Sequence, residues 1–264
     1  YRGVASINEF VDHALTGVPV YDFVAEDGVR HELWAISESG DITLLEQAFL
    51  SVPDLYVADG HHRTAAAARV GQKRKDSNPE HHGDEEYNFF MAVLFPDDQL
   101  EIFDYNRVVK DLNGLSPDDF VAALSDDFDV QPAGKTCPRP AALREFSLYL
   151  DGSWYELRAK TSPASSGSPI GDLDVTVLSE KVLGPLLSIT DLRNDNRIDF
   201  VGGIRGLEEL ERLVDSGEMA AAFALYPVSM EQLLNIADAG EIMPPKTTWF
   251  EPKLRSGLFV HGLD

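Results

Sequence analysis

The segment Leu55-Tyr56-Val57-Ala58-Asp59-Gly60-His61-His62-Arg63-Thr64-Ala65-Ala66-Ala67-Ala68 constrains the fold more than any other stretch of the chain. A short apolar run reads as a strand, an alanine-rich run reads as a helix, and the polar residues between them form the connecting loop. Four consecutive alanines from Ala65 remove the bulk that would hold that helix away from a sheet. Gly60 lets the backbone approach a ligand, and the N–H groups opening the helix add positive potential suited to an anion such as phosphate. Arg63 supplies a fixed fork of donors for phosphate or carboxylate oxygens. A purely local reading is equally open, in which Arg63 pairs with Asp59 and the two histidines cap the helix.

Around this segment the pattern predicts mixed structure. Ser6 to Leu15 reads as an amphipathic helix, Val29 to Ile36 as a strand after an Asp27-Gly28 turn, and Leu44 to Leu50 as a helix. Lys73 to Glu86 reads as a polar loop, where His81-His82 fits a solvated turn better than a metal site because no third ligand has suitable spacing. Asn88 to Phe95 and Glu101 to Val109 read as buried strands of a hairpin turning at Pro96-Asp97-Asp98. Ser116-Pro117-Asp118-Asp119 opens a helix, Phe146 to Leu150 and Trp154 to Arg158 form a hairpin across Asp151-Gly152, and Thr161 to Gly171 is a Ser/Pro/Gly loop. Helix and strand then alternate: Val175 to Leu187, Arg197 to Val201, Leu207 to Val214, Met219 to Tyr226 and Met230 to Ala239. The Pro-rich stretch from Gln131 to Pro140 is the expected connection between two lobes, 1–131 carrying the Asp-Gly-His-His-Arg loop and 132–264 completing one closely packed unit.

Composition excludes several classes. No run of about eighteen apolar residues is present and no export signal opens the chain, so a cytoplasmic location without membrane partners is the expectation. The single Cys137 excludes an intrachain disulfide and any multi-cysteine metal site. With 45 acidic against 22 basic residues and a net charge of −23, the surface repels nucleic acid, and no nucleic-acid partner is expected. Neither a Walker-type loop nor a Gly-x-Gly-x-x-Gly fingerprint occurs.

The Asp-Gly-His-His-Arg motif resembles the signature of domain-of-unknown-function family one-zero-one-five, whose members usually read Ala-Asp-Gly-His-His-Arg-Tyr; here Thr64 replaces the tyrosine. The ending is similar to that family as well, in Ala222-Phe223-Ala224-Leu225-Tyr226-Pro227 and in the stretch from Ala237-Asp238-Ala239-Gly240 through Met243-Pro244-Pro245-Lys246-Thr247-Thr248-Trp249-Phe250-Glu251-Pro252-Lys253-Leu254. Members often carry His-Arg where this chain has Asn106-Arg107, a departure that removes an acid/base group at position 106. The resemblance implies an α/β, mixed α+β fold with a ParB/sulfiredoxin-like core and a second α/β lobe. It also implies distant kinship with kinases of free serine. Together with the opening at Tyr1, it implies that the chain is the C-terminal part of a longer protein, with an N-terminal region upstream that is open to supplying a catalytic base.

Three functions compete. The first is a kinase-like phosphotransferase using ATP or ADP with Mg²⁺ on a small, serine-like hydroxyl-bearing metabolite. Asp59, His61 and His62 are its candidate catalytic residues, with Asp59 also the candidate Mg²⁺ ligand; Gly60, Arg63, Thr64, Arg107, Lys246, Thr247, Thr248 and Lys253 are its candidate phosphate- or nucleotide-binding residues. The second is a nucleotide-sensing or protein-binding module without turnover. The third, weaker, is a metal-dependent phosphoesterase with His61 and Asp59 as ligands.

Overall fold

Residues 1–161, 167–255 and 257–262 are described by a computed structural model, in which the chain forms two units, Tyr1–Leu100 with Leu254–Asp264, and Glu101–Lys253. The smaller unit begins with α1 (Ala5–Ala14), whose Ile7 is buried. A hairpin of β1 (Tyr21–Val24) and β2 (Arg30–Leu33) turns at Asp27-Gly28, where Gly28 has φ +81° and Asp27 Oδ1 accepts the Val29 N–H at 3.0 Å. Glycine suits that turn because a side chain at positive φ is strained. α2 (Ser39–Phe49) starts five residues before the expected helix, and α3 (His61–Ser77) follows the signature glycine as expected.

Two expectations fail in this unit. Leu55 to Ala58 forms no strand and pairs with none among the described residues, and Leu55 and Val57 are exposed. Asn88 to Phe95 forms neither a strand nor a hairpin arm: a 3₁₀ turn covers Glu86–Asn88, and Phe89, Phe90, Met91, Val93 and Leu94 are exposed beyond it. An apolar run acquires strand character only where a second strand completes its hydrogen bonds. The alanines of α3 are not buried against a sheet: Ala65, Ala66 and Ala68 are exposed and Ala67 is half-buried. The close approach on α3 is at Gly71, where a Cβ would stand 2.9 Å from the Tyr87 carbonyl oxygen. α3 also takes in Lys73–Ser77, so the expected polar loop is shorter than its sequence suggests.

The larger unit holds the main core. Its strands are β3 (Glu101–Phe103), β4 (Tyr105–Val109), β5 (Phe128–Gly134), β6 (Glu145–Leu150), β7 (Ser153–Ala159), β8 (Ile198–Gly202), β9 (Ala221–Leu225) and β10 (Trp249–Glu251). Its helices are α4 (Pro117–Leu124), α5 (Asp174–Leu178), which continues as a π-helical turn over Ser179–Leu183, α6 (Glu208–Asp215) and α7 (Met230–Asp238). Six strands form one sheet in the order β5-β7-β6-β9-β4-β8, every neighbour antiparallel, and β10 pairs with β3 in a separate ribbon. An antiparallel sheet with segregated helices is α+β rather than a parallel α/β layer.

Both faces of the sheet are covered. Phe146, Leu148 and Phe223 pack with Phe120 and Leu124 of α4 and Leu178 of α5, while Val108, Ala222, Ala224 and Trp154 pack with Leu210 and Leu213 of α6. Central β9 is therefore buried along its whole length, which is why its sequence is continuously apolar. The expected helix start at Ser116 is realised, with Ser116 Oγ accepting the Asp119 N–H at 3.2 Å, and so is the Asp151-Gly152 hairpin, where both residues take positive φ. Buried Arg144 joins β6 to α5, its Nη1 donating to Asp174 Oδ1 at 2.8 Å; burial pushes the Asp174 carboxyl above its usual range, with Arg144 opposing.

The expected lobe boundary at 131/132 falls inside β5, an edge strand whose register shifts between Pro132 and Gly134. Proline is tolerated there because an edge strand does not need every N–H for pairing. The expected loop from Thr161 lies partly outside the described residues. No described helix is long and apolar enough to cross a membrane.

Candidate functional site

The signature loop owes its shape to Gly60. At φ 83° and ψ 25° this residue is left-handed, a conformation that costs other L residues about 1–2 kcal/mol, and it turns the chain sharply into α3. Asp59 Oδ1 accepts the Gly60 N–H at 2.7 Å, and the first backbone bond of the helix runs from Thr64 N–H to Gly60 O at 2.9 Å. No side chain caps α3. The N–H groups of His61, His62 and Arg63 therefore point out of the helix end without a protein acceptor among the described residues.

Arg63 folds back over this end. Its Nη2 and Nε lie 3.3 and 3.4 Å from where a Cβ on Gly60 would be, so a guanidinium and three outward N–H groups share one exposed turn. His61, His62 and Arg63 are exposed and Thr64 half-buried. α3 also carries Arg63, Arg69, Lys73, Arg74 and Lys75 against the single acid Asp76, a cationic segment in a chain of net charge −23. Of these only Arg63 stands in the first turn; Arg69 to Lys75 lie about 9–18 Å further along the axis at about 1.5 Å per residue.

The remaining candidate residues lie in the larger unit, where one end of the sheet gathers them. Arg107 on β4 is 1% exposed, and its fork donates to two main-chain carbonyls: Tyr105 O, and Lys246 O at 2.9 Å. Its guanidinium also stands 5.4 Å from the Phe200 ring centre. Burial pulls this group down to about 9, the Tyr105 side chain opposing. Among the described residues no carboxylate pairs with it, so Arg107 is a buried cation that anchors the strap Lys246–Lys253.

That strap is ordered. Trp249, Phe250 and Glu251 pair with Phe103, Ile102 and Glu101, and a Cβ on Gly202 would come within 2.5 Å of the Trp249 ring. Lys246 Nζ lies 5.7 Å from the Tyr105 ring centre and Lys253 Nζ 5.3 Å from that of Trp249. Thr247 is buried with its hydroxyl donating to Pro244 O at 2.7 Å, which turns it inward; Thr248 is half-buried. The structure thus joins Arg107 to the strap through the Lys246 carbonyl, with Thr247, Thr248 and Lys253 further along the same segment.

Sequence reasoning missed three features. Buried Asp104 and Asn106 share one face of the chain entering β4: Asn106 Nδ2 donates to Asp104 Oδ2, and Asn106 Oδ1 accepts the Leu225 N–H at 3.0 Å. Two polar residues two apart before an apolar strand was the available signal. Asp104 lines a cavity of about 140 Å³ that includes Glu101, Arg139, Leu207 and Ala224. In the smaller unit, His81 is not in a loose loop. Its Nδ1 lies 2.9 Å from Tyr87 Oη and 3.1 Å from Glu85 Oε2, and Glu85 also accepts the N–H groups of His82 and Gly83 at 2.9 Å each. Burial raises the Glu85 carboxyl, but these N–H donors and His81 outweigh it and hold it at about 2.

Among the described residues no group of three His, Cys, Asp or Glu side chains is placed to hold a metal ion, which removes the support for His61 and Asp59 as ligands of a phosphoesterase metal.

Several solved structures are similar to the chain at low identity and low TM-score. A conserved hypothetical protein from Pyrococcus furiosus is 14% identical with a TM-score of 0.36, covering 95% of this chain and 85% of that one. A free serine kinase variant in complex with ADP is 15% identical with a TM-score of 0.38, covering 94% and 81%. A free serine kinase in complex with AMP is 13% identical with a TM-score of 0.35, covering 94% and 81%. No curated protein matches the chain. The model of the family described as protein of unknown function, DUF1015, matches residues 1–176, which include the signature loop, α3 and Arg107, and the chain belongs to that family.

Proposed function

We propose that the chain is a nucleotide-phosphate-binding protein that acts as a kinase-like phosphotransferase on a small, serine-like hydroxyl compound. One observation carries the proposal: three outward N–H groups and the Arg63 guanidinium converge on the left-handed Gly60 turn at the start of a 17-residue helix. Anions bind at such ends because N–H groups and helix dipole point at the same place. On this reading the smaller unit performs the phosphate-holding role implied by the ParB/sulfiredoxin-like resemblance, and Gly60, Arg63 and Thr64 cradle the phosphates.

Asp59 offers a carboxylate for Mg²⁺ accompanying ATP or ADP; that ion is commonly held by one or two carboxylates plus phosphate oxygens, so a single acid in the loop fits. Bound there, Mg²⁺ would neutralise charge on the phosphates. Phosphoryl transfer otherwise asks the protein mainly for positioning and electrostatic stabilisation. On this reading His61 and His62, exposed beside the turn, orient the phosphoryl group or move a proton. Within the larger unit, Arg107 holds the Lys246 carbonyl and so positions the strap that carries Lys246 and Lys253.

Calorimetry with ADP, and ATP consumption with a panel of hydroxyl-bearing amino acids, test this. Arg63→Ala removes charge-assisted bonds of about 1.5–3 kcal/mol each and is expected to weaken nucleotide binding at least tenfold. His62→Ala is expected to spare binding and lower turnover. Equal ADP affinity in wild type and Arg63→Ala refutes the phosphate site. Tight binding without turnover on any acceptor refutes the kinase reading and leaves a nucleotide sensor.

A further inference from the structure

The cavity beside Asp104 lies in the larger unit and is not used by the phosphate site. Its lining includes Asp104, only 7% exposed, whose carboxylate is held through Oδ2 by Asn106 and pressed against Gly203, where a Cβ would stand 2.2 Å from Asp104 Oδ1. Only a glycine leaves room for that carboxylate. Among the described residues Asp104 has no cationic partner, Arg139 has no acidic one, and the two are not within ion-pair distance of each other although both line the cavity. Sequestered charge without a counter-charge is costly, and a ligand supplying one relieves it. Glu101 adds a second carboxylate, so the lining favours a cation over an anion, while Leu207 and Ala224 supply apolar wall. The volume of about 140 Å³ holds roughly five waters at about 30 Å³ each, which suits a molecule of a few non-hydrogen atoms and excludes a nucleotide.

We infer that this cavity is a binding site for a small zwitterion, its primary ammonium on Asp104 and its anionic end towards Arg139. The binding stands apart from the phosphotransfer reading.

Isothermal titration of the whole chain with L-serine, L-alanine, ethylamine and propionate tests the assignment. Both amino acids are expected to bind, ethylamine at least about tenfold more weakly, and propionate not at all. Asp104→Asn keeps the shape and is expected to lose about tenfold or more for both amino acids and ethylamine. Arg139→Ala, on the surface, is expected to weaken the amino acids and leave ethylamine unchanged. Circular dichroism of both variants should match wild type, and Arg139→Ala keeps the experiment decisive if Asp104→Asn unfolds. Propionate binding as well as L-alanine, unchanged L-alanine affinity in folded Asp104→Asn, Arg139→Ala weakening ethylamine and L-alanine equally, or no binding by any probe overturns the inference. ADP binding without amine binding overturns this site alone, whereas amino-acid binding without ADP binding overturns only the phosphate reading.

Discussion

Gly202→Ala isolates the seat of the C-terminal strap. Gly202 has φ −66° and ψ 138°, a conformation any residue adopts, so the substitution adds no backbone strain and by itself favours the folded state by about 0.4–1 kcal/mol. Against that, the new methyl would meet three carbons of the Trp249 ring at 2.5, 2.8 and 2.9 Å. Optimal carbon contacts are about 3.5–4.0 Å, so the ring must retreat by about 1 Å. Overpacking of this kind costs about 1–3 kcal/mol, which leaves a net loss of roughly 0.5–2 kcal/mol. The strap should give way before the sheet, because β10 is held by three paired residues whereas β8 pairs along its full length with β4. Urea unfolding read by tryptophan emission, with hydrogen exchange at Phe250 and Ile102, measures both effects. Trp249→Leu in the same background should recover most of the loss. An unchanged midpoint together with unchanged protection at Phe250 would falsify the claim that Gly202 is the seat of Trp249.

Arg107→Lys is expected to destabilise the larger unit by about 1–3 kcal/mol, since one ammonium cannot reproduce a fork on two carbonyls, and to raise exchange at the strap; unchanged stability refutes the anchoring role. Glu85 sits below its ordinary value of 4.5 in the folded state, so the stabilisation it gives is complete above pH 4.5 and disappears as pH falls towards 2. NMR shifts of His82 and Gly83 amides should therefore change between pH 5 and 2 in wild type and be flat in Glu85→Gln; a flat wild-type profile contradicts the network.

The sequence made the larger unit largely legible. β6 and β7 announced themselves through Asp151-Gly152, α4 through Ser116-Pro117, and β8, α6, β9 and α7 through alternating periods. What failed was pairing, because a strand is a relation between two segments and apolar content names neither partner. Leu55 to Ala58 and Asn88 to Phe95 both have strand composition and neither finds a ladder, while Trp249–Glu251 has proline on its flank and does. The signature loop was readable because a single glycine and the following helix fix its geometry locally. Asp104 was not, since its significance comes from Gly203, about a hundred residues later, making room for it.

The position of β4 in the sheet has a consequence during synthesis. Its two neighbours are β8 and β9, so residues 105–109 leave the ribosome about 90 residues before Ile198–Gly202, the first segment able to pair with them. At translation rates of roughly 5–20 residues per second the wait is about 5–20 s. β5, β6 and β7, joined by short local connections, are complete well within it. The nascent chain thus carries a finished three-stranded sheet, in the order β5-β7-β6, whose β6 edge stays open until β9 arrives, and β4, with Arg107 on it, closes in between β9 and β8 only afterwards. Over that interval an apolar strand and an arginine bound for the interior are both in water, and a chaperone or slow translation past residue 109 would act on that exposed strand.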